Sequence, residues 1–325
     1  MVGDHIGTVG MQGAQPARLL YHIRHQTTYQ YALLVRLSHQ LLHLTPRELP
    51  WQRCVSHQLN IQPGPALVRS YEDNFGNVIK AFSLDADHTS LDVHAESWVE
   101  LTSRAMPGDG MAWEEAVALM SYQGARLMAP GMLEASNFLF ESAHVRIKRE
   151  FIGYATECFR PGLSVVEGVR ALMLRIHREF SFDPAATTVS TPVTEVFANR
   201  RGVCQDFAHL MQSCLRSIGL AARYVSGYLL TEPPPGQPRL IGADASHAWV
   251  SVYCPGAEGE PGAWLDADPT NGIFPDTGHI TLGWGRDFLD VSPLRGVLIG
   301  GGQQSMRVAV TVMPGEEARG LQLSI

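Results

Sequence analysis

No stretch of the 325 residues stays apolar for the length of about 20 residues that a membrane-spanning helix needs, so no span is expected. The first twenty residues, Met1 to Leu20, hold four glycines, a proline and no continuous apolar segment, so a secretory signal is not expected either. Residues 1–18 read as a flexible tail. Cysteine is scarce: Cys54, Cys158, Cys204, Cys214 and Cys254 are odd in number, widely spaced and without a CxxC pair. This argues against a disulfide framework and a zinc ribbon, and favours a reducing, cytoplasmic location. Positive charge is also in deficit, with 25 Lys and Arg against 32 Asp and Glu and a net charge of -7. A nucleic-acid partner is therefore not expected.

What is present is an ordinary globular composition, 45% hydrophobic and 18% charged, in a chain long enough for about two domains. From Leu19 to Leu101 apolar and polar residues alternate between turn signals. Tyr21–His25 and Val35–Leu41 read as strands, and Asp73-Asn74-Phe75-Gly76-Asn77 as a tight turn feeding Val78–Phe82. Residues 19–105 are thus expected to form an antiparallel β domain. Its histidines, His39 and His43 among them, lack a third ligand at a useful interval, so no metal is expected there. Residues 106–325 read as a helical segment followed by a mixed core, which makes the chain α+β. Trp113–Ala129, Asn137–Phe151 and Gly153–Phe159 are helix candidates. Ser164 and Glu167 make a capping box for a further helix running to about Phe180.

Asn199-Arg200-Arg201-Gly202-Val203-Cys204-Gln205-Asp206-Phe207 opens the next helix. Phe207, Leu210, Met211, Cys214, Leu215 and Ile218 recur at spacings of three and four, and Gly219 stops the pattern. Cys204 extends that apolar row by one step, so its sulfur points inward from a helix start. Unpaired N–H groups and the helix dipole at such a start favour a thiolate over a thiol. The plain alternative is a small core residue, because most buried cysteines are inert. Asp206 suits the helix N-terminus electrostatically, and His209 falls off the Cys204 face.

Further along, Ala222–Thr231 is strand-like, and a Pro-rich turn, Pro233–Gly236, follows. His247 begins a strand in which Ala248, Val250 and Val252 alternate with Trp249, Ser251 and Tyr253. Ala263–Asp268 returns, stopped by Pro269, which has no N–H to donate. Pairing Tyr253 with Ala263 puts Asp268 opposite Ala248 and Asp266 opposite Val250. A slip of one residue puts Asp268 opposite His247. Either register makes Asp268 the carboxylate nearest the histidine, with Asp266 its rival. A thiol, an imidazole and a carboxylate form a nucleophile unit: the imidazole takes the thiol proton, and the carboxylate fixes the imidazole tautomer.

Arg201-Gly202-Val203-Cys204-Gln205-Asp206-Phe207-Ala208, Ala222–Tyr228, Ala245-Ser246-His247-Ala248-Trp249 and Asp266-Ala267-Asp268-Pro269-Thr270-Asn271 together resemble the bacterial transglutaminase-like proteins of the papain-like cysteine enzyme group. The resemblance runs closely from about Phe180 to Gly300, and residues 19–101 look like the β-rich N-terminal module of those proteins. It implies a papain/transglutaminase-like core in which a helix carrying the cysteine packs on an antiparallel sheet. Carried over by position, it makes Cys204 the nucleophile, His247 the general base and Asp268 its orienting partner. The implied activity is acyl transfer on peptide or glutamine-type amides through a thioester, without cofactor or metal, on a protein or peptide substrate. Hydrolysis of protease or amidase type is preferred to amine crosslinking. Two alternatives are a binding module that keeps the fold and a metal site built from Cys204, His247 and Asp268 or Asp266. The chain departs from some animal members in having no tryptophan between Val165 and Phe180 to hold an oxyanion, which leaves the backbone N–H of Cys204 as the expected donor. It also has no EF-hand loop.

Overall fold

A computed structural model describes residues 18–108, 110–121, 130–231, 246–256 and 261–322. Most of the N-terminal tail, the end of the helix expected at Trp113–Ala129 and the turn at Pro233–Gly236 lie outside the described residues. In chain order the elements are β1 (Leu19–Leu42), β2 (Gln52–Gln62), β3 (Val68–Glu72), β4 (Val78–Leu84), β5 (His88–Leu101), α1 (Trp113–Met120), α2 (Pro130–Ser136), α3 (Arg149–Thr156), α4 (Val165–Glu179), β6 (Ser181–Phe182), α5 (Val193–Asn199), β7 (Arg201–Gly202) and α6 (Cys204–Ser217). There follow β8 (Ala222–Leu229), β9 (Ser246–Cys254), β10 (Ala263–Ala267), β11 (His279–Gly285), β12 (Leu294–Gly300), β13 (Gln304–Pro314) and α7 (Gly315–Gln322).

The runs at Tyr21–His25 and Val35–Leu41 belong to one strand, β1, rather than two. Its first half pairs with β5 and β13 and its second half with β4 and β12, all antiparallel, while β2 and β3 close the outer edges. Residues 294–314, which the sequence places with the catalytic part, therefore complete the N-terminal sheet. The division at residue 105 does not separate two independent chain segments.

The second sheet runs β10-β9-β8-β11, antiparallel throughout. Ala222, Tyr224, Ala248, Val250 and Val252 of this sheet share a core with Phe207, Leu210, Met211 and Leu215 of α6. All of Asp206–Arg216 is buried, so α6 is covered on every side. Its buried Gln212 and Arg216 side chains donate to nearby backbone carbonyls, although Gln212 Oε1 has no partner among the described residues. Gln212 Nε2 donates to the carbonyls of Ala222 (3.2 Å) and Arg286 (3.1 Å), and the Arg216 guanidinium donates to those of Ala222 (2.7 Å), Arg286 (2.6 Å) and Phe140 (2.8 Å). α4 starts with the expected capping box on Ser164 and Glu167. The segment Asn137–Phe151 is not a helix for most of its length. Its backbone runs along α6 instead, where Arg146 N donates to Ser213 Oγ (3.2 Å), Lys148 N to Ser217 Oγ (3.3 Å) and His144 N to Asp287 Oδ2 (2.9 Å). Side chains have taken the donors that a helix ladder would need.

The two sheets meet through Tyr21, Ile23, Val99, Leu101, Val310 and Val312 on one side and Tyr228, Ile280 and Leu282 on the other. β11 is an edge strand of its sheet, and the N-terminal region supplies the missing partners with side-chain amides. Gln52 Oε1 accepts from Thr281 N (2.8 Å) and its Nε2 donates to Thr281 O (2.7 Å). Asn77 Oδ1 accepts from Trp284 N (3.0 Å) and its Nδ2 donates to Trp284 O (2.8 Å). Gly283 permits this approach, since a Cβ there would lie 2.6 Å from Asn77 Oδ1. Because each amide satisfies two buried backbone groups, Gln52→Ala or Asn77→Ala is expected to destabilise the protein by about 1–3 kcal/mol. Chemical denaturation of each variant checks this, and an unchanged midpoint would contradict it.

Candidate active site

Local chemistry places Cys204 as the first residue of α6. Val203 has no acceptor to cap the helix, and the first intrahelical bond runs from Phe207 N to Val203 O (3.1 Å). The N–H groups of Cys204, Gln205 and Asp206 are thereby left outside the helix ladder. Asp206 folds back instead, its Oδ2 accepting from Val203 N (2.8 Å) and Thr187 Oγ1 (2.6 Å). Burial pushes its carboxyl pKa up, and those two hydrogen bonds only partly offset the rise. Gly202 leaves room for it: a Cβ there would sit 2.6 Å from Asp206 Oδ2. The turn before Cys204 is pinned by β6 and β7, a two-residue parallel pair, and by Arg200 at φ 55°. The Arg200 guanidinium lies over the rings of Phe197 (4.4 Å) and Phe180 (4.7 Å), which holds a non-glycine residue in the left-handed region.

The register of the returning hairpin differs by one residue from the first expected pairing and by two from the slipped one: Trp264, not Ala263, faces Tyr253, and Asp266 faces Ser251. Asp268 still reaches the histidine, because β10 ends at Ala267 and Asp268 opens a tight turn closed by Asp268 N to Ile273 O (2.9 Å). Release from the ladder frees its side chain to point at His247. Its Oδ1 accepts from the backbone N–H groups of Thr270 (2.9 Å) and Asn271 (3.2 Å). Its Oδ2 accepts from His247 Nε2 (2.7 Å), Asn271 Nδ2 (2.7 Å) and His279 Nε2 (3.0 Å). With Nε2 so engaged, His247 has Nδ1 left for its hydrogen bond with Cys204. Asp266, the rival carboxylate, is instead paired with Arg104, whose Nη2 also donates to His279 O (2.8 Å).

The chain brings Cys204, His247 and Asp268 into one hydrogen-bonded row, of which Asp268 is fully buried and Cys204 half-buried. Burial alone would lower the His247 pKa. The hydrogen bonds to Asp268 and Cys204, with the negative charge of both, outweigh it and raise the pKa to about 10. Burial likewise opposes the Asp268 charge, but the bonds from His247 and His279 hold its carboxyl well below the usual range. A raised histidine pKa stabilises the fold fully below the unfolded-state value of about 6.5, and the gain is lost as pH climbs through about 10. The stability difference between wild type and His247→Gln is therefore expected to shrink between those limits. Thermal unfolding at stepped pH would show it, and a difference that grows with pH would contradict the assignment.

His279 and Asn271 were missed as site residues by sequence reasoning, since neither has a local signature beyond lying in conspicuous tracts. His209 is buried under His144 (ring centroids 4.9 Å apart) and accepts from Phe288 N (3.2 Å), a packing role. His247, Asp268 and His279 offer ligand atoms within 4.8 Å of one another, a donor set that a divalent ion could use. Binding one would require both imidazole Nε2 atoms to give up the N–H bonds that now surround the carboxylate. Asp266, held by Arg104, stands outside that set.

Residues 21–100 match the bacterial transglutaminase-like N-terminal region and residues 152–269 the transglutaminase-like superfamily. Uncharacterized proteins of Mycobacterium tuberculosis and Mycobacterium bovis are each 41% identical over 300 residues, covering 91% of this chain and 93% of theirs. A protein-glutamine gamma-glutamyltransferase of Pseudomonas aeruginosa is 34% identical over 115 residues, 33% of this chain and 16% of that one. The crystal structure of a candidate cysteine protease from Cytophaga hutchinsonii superposes with a TM-score of 0.70 at 18% identity, covering 92% of this chain and 91% of that one. The chain thus belongs to the transglutaminase-like superfamily, with the bacterial transglutaminase-like N-terminal region ahead of its core.

Proposed function

We propose that the protein is a cysteine-dependent acyl-transfer enzyme that hydrolyses peptide or glutamine-type amides. The observation that carries this reading is the row Cys204–His247–Asp268 at a helix start whose first N–H groups are uncapped. The Cys204 sulfur adds to the amide carbonyl, and the oxygen that becomes negative is met by the Cys204 N–H. Collapse breaks the C–N bond as His247 Nδ1 gives its proton to the departing amine, leaving a thioester. Water, losing a proton to the same nitrogen, then adds to the thioester carbonyl. The acid departs and the sulfur recovers its starting state. Asp268 keeps the Nε2 proton in place throughout. The substrate proposed is a protein or peptide. A cytoplasmic location is proposed with it, in keeping with five unpaired cysteines.

A second reading, amine transfer in place of hydrolysis, draws on the local identity to the glutamyltransferase of Pseudomonas aeruginosa. Incubation with a glutamine-containing peptide library, with and without cadaverine, read by mass spectrometry, separates the two. Cleavage or glutamine-to-glutamate conversion in both arms is expected. Cadaverine adducts as the main product would favour transfer, and no change relative to Cys204→Ala would remove the enzymatic reading.

A further inference from the structure

Two imidazoles meet on one carboxylate oxygen, and the reaction proposed above uses only the first. His279 stands at the start of β11, its side chain 2% exposed, with Nε2 3.0 Å from Asp268 Oδ2 and its ring edge-on to Trp249 at 5.2 Å between centroids. Its backbone is fixed on both sides: its N–H donates to Asp276 O (3.0 Å) and its carbonyl accepts from Arg104 Nη2 (2.8 Å). A buried carboxylate is costly unless its charge is compensated. In the resting ion pair His247 compensates it. When His247 passes its Nδ1 proton to a leaving amine it becomes neutral, and that compensation weakens.

We propose that His279 is a positioning residue that keeps Asp268 charged and oriented while the His247 proton comes and goes. This rests on the acyl-transfer reading. Burial lowers the His279 pKa and Asp268 only partly restores it, so the second imidazole is a neutral N–H donor at pH 7. Such a donor stays in place whatever the state of His247. Without it, the carboxylate charge falls more heavily on His247 Nε2. The imidazolium is then a weaker acid toward the leaving group, although it still holds the Cys204 thiolate.

The test compares His279→Gln, which offers an amide N–H in place of Nε2–H, with His279→Leu and His279→Asn, which have no donor or one a methylene too short. Each is labelled with ¹⁵N-histidine, and three readouts are taken at pH 7: the proton resonance of His247 Nε2–H, iodoacetamide labelling at Cys204, and turnover of a peptide found active in the library experiment. In His279→Leu and His279→Asn the resonance moves to lower field and turnover falls about tenfold, while labelling stays selective for Cys204. His279→Gln restores much of the turnover. An unmoved resonance in His279→Leu and His279→Asn, or a His279→Gln variant as impaired as both, overturns the proposal. Should His279→Leu fail to fold, His279→Asn against His279→Gln decides the question by the same readouts. Failure of the underlying enzyme reading looks different: wild type itself would then show neither selective labelling nor turnover.

Discussion

Cys204→Ala is expected to lower the proposed amide turnover by about a thousandfold or more and to leave the fold in place. The sulfur sits half-buried at the first position of α6, at the border of the core, and alanine is a better helix former than cysteine. The stability change is therefore expected to be small. Turnover has no substitute route, because no other cysteine lies beside His247: Cys158 and Cys214 are buried among apolar side chains, burial pushes the Cys254 thiol up to about 12, and Cys54 lies on β2 in the N-terminal sheet. Retention of more than a few per cent of wild-type turnover in folded Cys204→Ala would mean that another group does the chemistry.

Asp268→Asn is expected to lower turnover by about a thousandfold, for reasons that Asp266→Asn does not share. Three N–H donors converge on Asp268 Oδ2 and two more on Oδ1. An asparagine can satisfy only one of those groups with its single oxygen. If its NH₂ faces His247, Nε2 must become an acceptor and the imidazole proton moves to Nδ1, the nitrogen needed as base. If the NH₂ faces Thr270 N and Asn271 N, donors oppose donors in a buried turn at a cost of about 1–3 kcal/mol. Either outcome removes the negative charge that raises the His247 pKa. Steady-state kinetics on a peptide from the library, with thermal unfolding alongside, would detect both effects. Asp266→Asn, which loosens Arg104 but leaves the His247–Asp268 contact, should retain much more activity than Asp268→Asn, and the reverse order would exchange the roles given to the two carboxylates.

How much of this was legible in the sequence depended on whether the determining forces were local. The α6 face, the Ser164 cap and the Asp73–Asn77 turn are written in residue spacing, and the structure has all three. Cys204, His247 and Asp268 were legible as a set because a helix start and the ends of two strands supply complementary groups. The hairpin register was not, since nothing in the alternation distinguishes a one-residue slip. Asp268 tolerated the error because it lies beyond the ladder, in a turn that aims its own carboxylate.

The convergence of His279 on Asp268 was hidden for a different reason. It depends on β11 lying beside β8, with its free edge closed by Gln52 and Asn77 from more than two hundred residues earlier in the chain. Side-chain amides standing in for a missing strand have no periodic signature. The return of β12 and β13 to β1 was hidden in the same way, since pairing across nearly the whole chain length leaves no local trace. The Asn137–Phe151 segment read as helix because its composition permits one. Serines on α6 and Asp287 then captured its backbone donors.

The most direct test of the account is the rate of iodoacetamide alkylation at pH 7, resolved by cysteine through peptide mass spectrometry, in wild type and in His247→Ala. The account predicts that Cys204 reacts well ahead of Cys54 and Cys158 in the wild type and loses that lead in His247→Ala. Labelling of Cys204 no faster than the other two, or a lead that survives removal of the imidazole, would contradict the pairing of sulfur and histidine on which the proposed chemistry stands.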